Sequence, residues 1–132
     1  MKGIDTNVLL RFLLNDEPAQ SAAAKAFVDR HTNAGEEVFI NRAVLCETVW
    51  VLTRGYRYGK DAVADLLDAL IVADGFAIED RAEVAEALAD WRNGGPGFAD
   101  ALIGQTNTRR GCSATLTFDR KAARLADFQL LT

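Results

Sequence analysis

Three features of the sequence predict an α/β fold in three α/β/α layers around a central parallel sheet of four to five strands. Short β-prone runs alternate with longer helical ones from end to end, the pattern of strands joined by right-handed helical crossovers. Two of those strands run into an aspartate, Asp5 and Asp119, at the carboxyl end where open parallel sheets form their ligand crevices. The 132 residues are 49% hydrophobic with only two prolines and no low-complexity tract, enough for a single domain over 1–132 with a real core.

The elements follow in order. "MKGID" is the first strand, and "TNVLLRFLLND" is a helix with Thr6 or Asn7 near its start. Pro18 opens an alanine-rich helix through "AQSAAAKAFVDR", closed by "NAG" before the strand "EEVFIN". "RAVLCETVWVLTRGYRYG" is long and apolar enough for a buried helix ending in a Gly- and Tyr-rich turn. Val63, Leu66, Leu67, Leu70 and Ile71 recur on one helical face, and "GFAIED" is the third strand. "RAEVAEALADWRN" repeats the helical pattern with Val84, Ala87, Leu88 and Trp91, and Gly94 and Gly95 end it. Pro96 begins the next helix, which carries Asp100. "CSATLTFD" is the strongest strand, "RKAARLAD" is helical, and "FQLLT" is a short last strand.

Composition excludes several classes. "VLLRFLL" is short, broken by Arg11 and preceded by an acid, so it reads as neither an export signal nor a membrane span. Cys46 and Cys112 fit free thiols in a reducing cytosol, and a cytoplasmic location is expected. One histidine, His31, and two scattered cysteines cannot build an ordinary zinc site. The net charge of -4 opposes a broad basic nucleic-acid footprint, but its distribution matters more than its sum.

Most of the nineteen acids share faces with Lys or Arg, or lie in polar turns. Four do not. Asp100 has Pro96, Gly97, Ile103 and Gly104 as its helical neighbours, with the two glycines expected to leave room beside the carboxylate. Glu47 has Ala43, Val44, Trp50 and Val51. Asp5 and Asp119 end strands. Setting the four aside leaves fifteen acids against fifteen Lys and Arg, so they account for the whole net charge. Carboxylates crowded together raise one another's pKa, and a hard divalent cation removes that cost. Mg2+ or Mn2+ accepts oxygen ligands and can be shared with substrate phosphate, chemistry suited to phosphodiester hydrolysis without histidine or a protein nucleophile. Plainer roles also fit these residues: Asp5 and Asp119 as helix caps, Glu47 and Asp100 as partners of a distant arginine in the core.

Other residues have two roles open. Asn7 is placed to orient a carboxylate or to serve a turn, and Thr117 or Thr115 to assist Asp119 or simply to favour a strand. Trp50, Trp91 and Phe98 are expected in the core. Tyr56 and Tyr58, amid Arg54, Arg57 and Lys60, are open to contact with RNA or a partner, but are expected to form a solvated helix end. Arg109, Arg110, Arg120, Lys121 and Arg124 make the most basic third of the chain and are the candidate phosphate contacts.

In order and spacing, "GIDTNVLLRFLL", "CETVWVL", "FADALI" and "TLTFDRKAARL" resemble the PIN-domain family, and within it the VapC-type toxin ribonucleases of bacterial toxin–antitoxin pairs. The resemblance spans essentially the whole chain. It implies an acidic quartet at Asp5, Glu47, Asp100 and Asp119, a Mg2+ or Mn2+ cofactor, and cleavage of RNA. It also implies a homodimer, a higher assembly with a cognate antitoxin that inhibits it, and a small polar residue beside the last acid, here Thr117 or Thr115. Two other classes compete: a non-catalytic PIN-like module whose acidic pocket holds a basic peptide, and a phosphotransfer enzyme using Asp5 as nucleophile. The second is weakened because "DTN" lacks the second acid of a DxD arrangement.

Overall fold

Six α-helices and five short strands alternate along the chain, and every strand pair is parallel. The computed structural model describes residues 1–132, which divide into two compact units, Met1–Glu79 and Asp80–Thr132.

The first unit runs β1 (Lys2–Gly3), α1 (Thr6–Leu14), α2 (Pro18–Asn33), β2 (Val38–Ile40), α3 (Arg42–Trp50), α4 (Lys60–Val72) and β3 (Phe76–Ile78). Its sheet has the order β1-β2-β3, with Gly3 opposite Phe39 and Ile40 opposite Ile78. Parallel neighbours need a crossover, and each is made by a pair of helices, α1 and α2 and then α3 and α4. Leu9, Val38, Leu45, Leu52, Val63 and Leu67 are fully excluded from solvent. Each buried side chain of this size favours folding by about 1.5–3 kcal/mol.

The helix starts are set by side chains. Asp5 Oδ1 accepts from the Val8 N–H at 3.0 Å, Asn41 Oδ1 accepts from Val44 N–H at 2.8 Å, and Glu17 accepts from Ala19 and Gln20 ahead of α2, whose first residue is Pro18. At the end of β3, Glu79 Oε1 accepts from the Arg42 N–H at 2.8 Å and so serves α3.

The long helix expected from Arg42 to Gly59 stays α-helical only to Trp50. Val51–Gly55 form a wider π turn, closed by Tyr56 N–H to Val51 O at 3.0 Å. It keeps Leu52 buried, and the Tyr56 hydroxyl donates to Asp16 Oδ2 at 2.8 Å, tying the turn to the segment between α1 and α2. That is why Tyr56 is more than part of a solvated helix end. Trp50 is 63% exposed, so it is not the core residue its size suggests; Trp91 and Phe98 are.

The second unit runs α5 (Arg81–Arg92), α6 (Phe98–Arg109), β4 (Thr115–Thr117) and β5 (Phe128–Leu130), with β4 and β5 paired in parallel. The five strands therefore form a three-stranded sheet and a separate two-stranded pair, not one sheet of four to five strands. With two or three residues each, the strands carry few ladder bonds, and β4 spends its own on β5. The helix expected at "RKAARLAD" is a single 3-10 turn, Ala122–Arg124. Only ten residues separate β4 from β5, and Leu125 must turn extended so that Phe128 can pair with Thr115. Helix α6 begins after Gly97, not at Pro96, which is buried just ahead of it.

Gly104 does not make room for Asp100. A Cβ there would lie 2.3 Å from the Phe128 ring, so the bare backbone of α6 is the seat on which β5 packs. Gly97 does border the carboxylate: a Cβ there would come within 4.0 Å of Asp100 Oδ2.

Candidate metal centre

The first unit brings Asp5 and Glu47 to one cavity. Asp5 follows β1 and caps α1; Glu47 projects from the middle of α3. Both are exposed, and both line a polar cavity of about 450 Å³ together with Thr6, Asn7, Asn41, Ala43, Val44 and Val51. No Lys, Arg or His side chain lines it. The Thr6 hydroxyl, itself buried, donates to Glu47 Oε1, linking the first turn of α1 to α3. Val8 N–H holds Asp5 Oδ1, and Oδ2 has no protein partner.

The second unit carries the other two acids. Asp100 is exposed in the first turn of α6 and makes neither an ion pair nor a hydrogen bond, so the alternative of a core arginine partner does not describe it. Asp119 follows β4. Its backbone N–H donates to Thr117 Oγ1 at 3.0 Å, and its Oδ1 accepts from the Lys121 N–H at 2.9 Å. Thr117 is thus the polar residue in contact with Asp119. Thr115 instead accepts from Asn107 Nδ2 at 3.0 Å, tying β4 to α6.

Glu47, likewise, has no ion-pair partner; its one hydrogen bond is to Thr6. Arg109, by contrast, is held by Glu83 at 3.5 Å and Glu86 at 3.3 Å, which leaves Arg110, Arg120, Lys121 and Arg124 as the exposed cations of that region outside an ion pair. Two residues at the first cavity were not singled out from the sequence. Thr6 reads in the sequence only as a helix start because its partner Glu47 lies 41 residues away, and Asn41 reads only as the end of a strand because its cap bond to Val44 leaves no pattern pointing to a site.

In neither unit do three or more carboxylate, imidazole or thiol side chains converge on one point. The donor set at the first cavity is two carboxylates with amide and hydroxyl oxygens beside them, which suits a hard cation that keeps several waters.

The PIN-domain model matches residues 3–128. The chain belongs to the PIN-domain family. It is 25% identical over 125 residues to a VapC ribonuclease from Aquifex aeolicus (strain VF5), covering 95% of this chain and 92% of that one. No helix is long and apolar enough to cross a membrane.

Proposed function

We propose that this PIN-domain chain is a Mg2+- or Mn2+-dependent endoribonuclease, the toxin of a toxin–antitoxin pair, acting as a single domain in the cytoplasm. Its working acids are Asp5, Glu47, Asp100 and Asp119. The observation that carries the proposal is the meeting of Asp5 and Glu47, distant in sequence, on one polar cavity without a cation in its wall. Family membership and the likeness to a VapC ribonuclease support the substrate class.

Asp5 and Glu47 would be the ligands supplied by the first unit, and Asp100 and Asp119 those supplied by the second. When bound, the ion would supply Lewis acidity toward the phosphodiester and toward water. The chain's own part is positioning. Val8 N–H fixes one Asp5 oxygen and leaves the other without a protein partner, Thr6 fixes the rotamer of Glu47, and Thr117 fixes the backbone at Asp119. Asn7 borders the cavity beside Asp5 and is placed to orient water or a phosphate oxygen. Arg110, Arg120 and Lys121 supply backbone contacts to RNA, with Arg109 contributing only if it leaves Glu83 and Glu86. The homodimer and the inhibitory antitoxin belong to the same proposal, since an acidic site attracts a basic inhibitor segment.

Cleavage of a mixed RNA pool in Mg2+ or Mn2+ tests it. Asp100→Asn is expected to abolish cleavage while leaving the thermal midpoint nearly unchanged, because the carboxylate has no partner to lose. An undiminished rate in metal-replete buffer removes Asp100 from the site. Absence of cleavage by the wild-type chain, with binding of a basic peptide that survives chelation, favours the non-catalytic module instead.

A further inference from the structure

A second and larger cavity, about 700 Å³, shares Asp5 and Asn7 with the first. Its walls are mostly apolar: Ile4, Val8, Ala23, Ala24 and the half-buried Phe27 ring, which packs against His31 with ring centroids 4.2 Å apart. Apart from the shared Asp5 and Asn7, its polar side chains are Lys2, Arg11 and Gln20.

These three present donors. Lys and Arg side chains have no acceptor. Gln20 is fixed in one sense, because Arg11 Nε donates to its Oε1 at 2.7 Å, which turns the Nε2 amino group away as a donor with no protein partner. Arg11 is itself steadied by Asp16 at 3.3 Å.

We infer that this cavity seats a nucleobase next to the cleaved phosphate and that Gln20 favours the keto bases, guanine and uracil; the inference rests on the ribonuclease proposal. A strand whose phosphate lies at Asp5 has its adjoining nucleotide within reach of a cavity that shares that residue. An apolar wall with an aromatic ring suits the face of an unstacked base, and single-stranded RNA is read by such stacking together with hydrogen bonds to base edges. Guanine offers O6 and uracil offers O4 to a donor, whereas adenine and cytosine put an amino group, N6 or N4, at the equivalent place. Two donors facing each other leave the site's polar group unpaired, and that mismatch is where discrimination arises.

The test has two readouts. A randomised RNA pool is cleaved by the full chain in Mg2+ or Mn2+, and base frequencies flanking the cut are read by sequencing the new ends. G and U are expected to exceed A and C several-fold at one flanking position. Gln20→Leu should bring that position to near parity, and Gln20→Glu, which replaces the amino group by an acceptor, should turn it toward A and C. A wild-type pattern without keto bias, or a bias that neither variant moves, overturns the inference while leaving the nuclease proposal standing. If the wild-type chain cleaves nothing, the nuclease proposal falls, and binding decides the subsite. The four ribonucleoside 5′-monophosphates are titrated in Mg2+ against the ring-proton resonances of Phe27, which lines the same cavity and is present in the wild-type chain and in Gln20→Leu alike. Several-fold tighter binding of the G and U nucleotides, lost in Gln20→Leu, upholds the subsite; equal or no response overturns it.

Discussion

Asp5 has two duties on one side chain: Oδ1 caps α1 through Val8 N–H, while Oδ2 has no protein partner and the residue lines the cavity shared with Glu47. The duties separate by substitution. Asparagine caps about as well as aspartate, so Asp5→Asn should cost no more than about 0.5 kcal/mol, whereas Asp5→Ala should cost about 1 kcal/mol. Both should reduce RNA cleavage by more than about 100-fold, beyond what is lost when a supporting group is removed. Thermal melts beside cleavage rates check this, and a fully active Asp5→Asn would reduce Asp5 to a cap. Thr6 is the supporting group for Glu47. Thr6→Val keeps its buried shape but frees the glutamate, and should slow cleavage roughly 10-fold; an unchanged rate would mean that Glu47 needs no orientation. At this scale the sequence was only half legible. The isolation of Asp5, Glu47, Asp100 and Asp119 among apolar neighbours could be seen by spacing alone, because helical neighbours are local. The Thr6–Glu47 bond, and the engagement of Arg109 by Glu83 and Glu86, are tertiary and left no local pattern.

Elements were legible wherever periodicity was strong and blurred wherever tertiary packing overrode it. Helices α1, α2, α4 and α5 lie where apolar spacing and caps put them, because each buries one face. The π turn after Trp50 and the 3-10 turn after Lys121 answer to packing constraints, the burial of Leu52 and the short reach to β5, that no local propensity encodes. Gly104 shows the same limit, since its purpose is the Phe128 ring and not the acid four residues before it. Gly104→Ala should therefore destabilise by about 1–3 kcal/mol through overpacking against β5, with activity per folded molecule retained; denaturant melts check it, and a neutral result would mean that Phe128 can move aside. The π turn has a pH signature. The Tyr56 hydrogen bond, with help from Arg11, holds the Asp16 carboxyl below its ordinary value. A depressed folded-state pKa gives stability that is present above the unfolded value and fades as pH falls through the folded one. Acidification below the ordinary carboxylate range should thus loosen the anchor. Tyr56→Phe should flatten that acid-side loss in the thermal midpoint, and parallel curves for the two proteins would refute the link.

For the molecule as a whole, charge is the property that joins fold to function. Fifteen Lys and Arg balance every acid except four, and each unit supplies two of those four. If the proposed quartet acts on a common ion, its members are not interchangeable halves: Asp5 with Glu47 alone would bind Mg2+ weakly, and so would Asp100 with Asp119. A ligand that binds only the folded chain raises its stability, by about 2.7 kcal/mol at a hundred times its dissociation constant. Mg2+ or Mn2+ should therefore raise the thermal midpoint of the wild-type chain, and chelation should reverse the rise. The decisive form is a double-mutant cycle on Asp5→Asn and Asp100→Asn, with the ion-induced rise in midpoint as the readout. A common ion predicts that either substitution removes most of the rise and that the pair removes little more. Additive losses, each about half of the total, would mean that the acids of the two units hold separate ions, and the quartet would then have to be replaced by two sites.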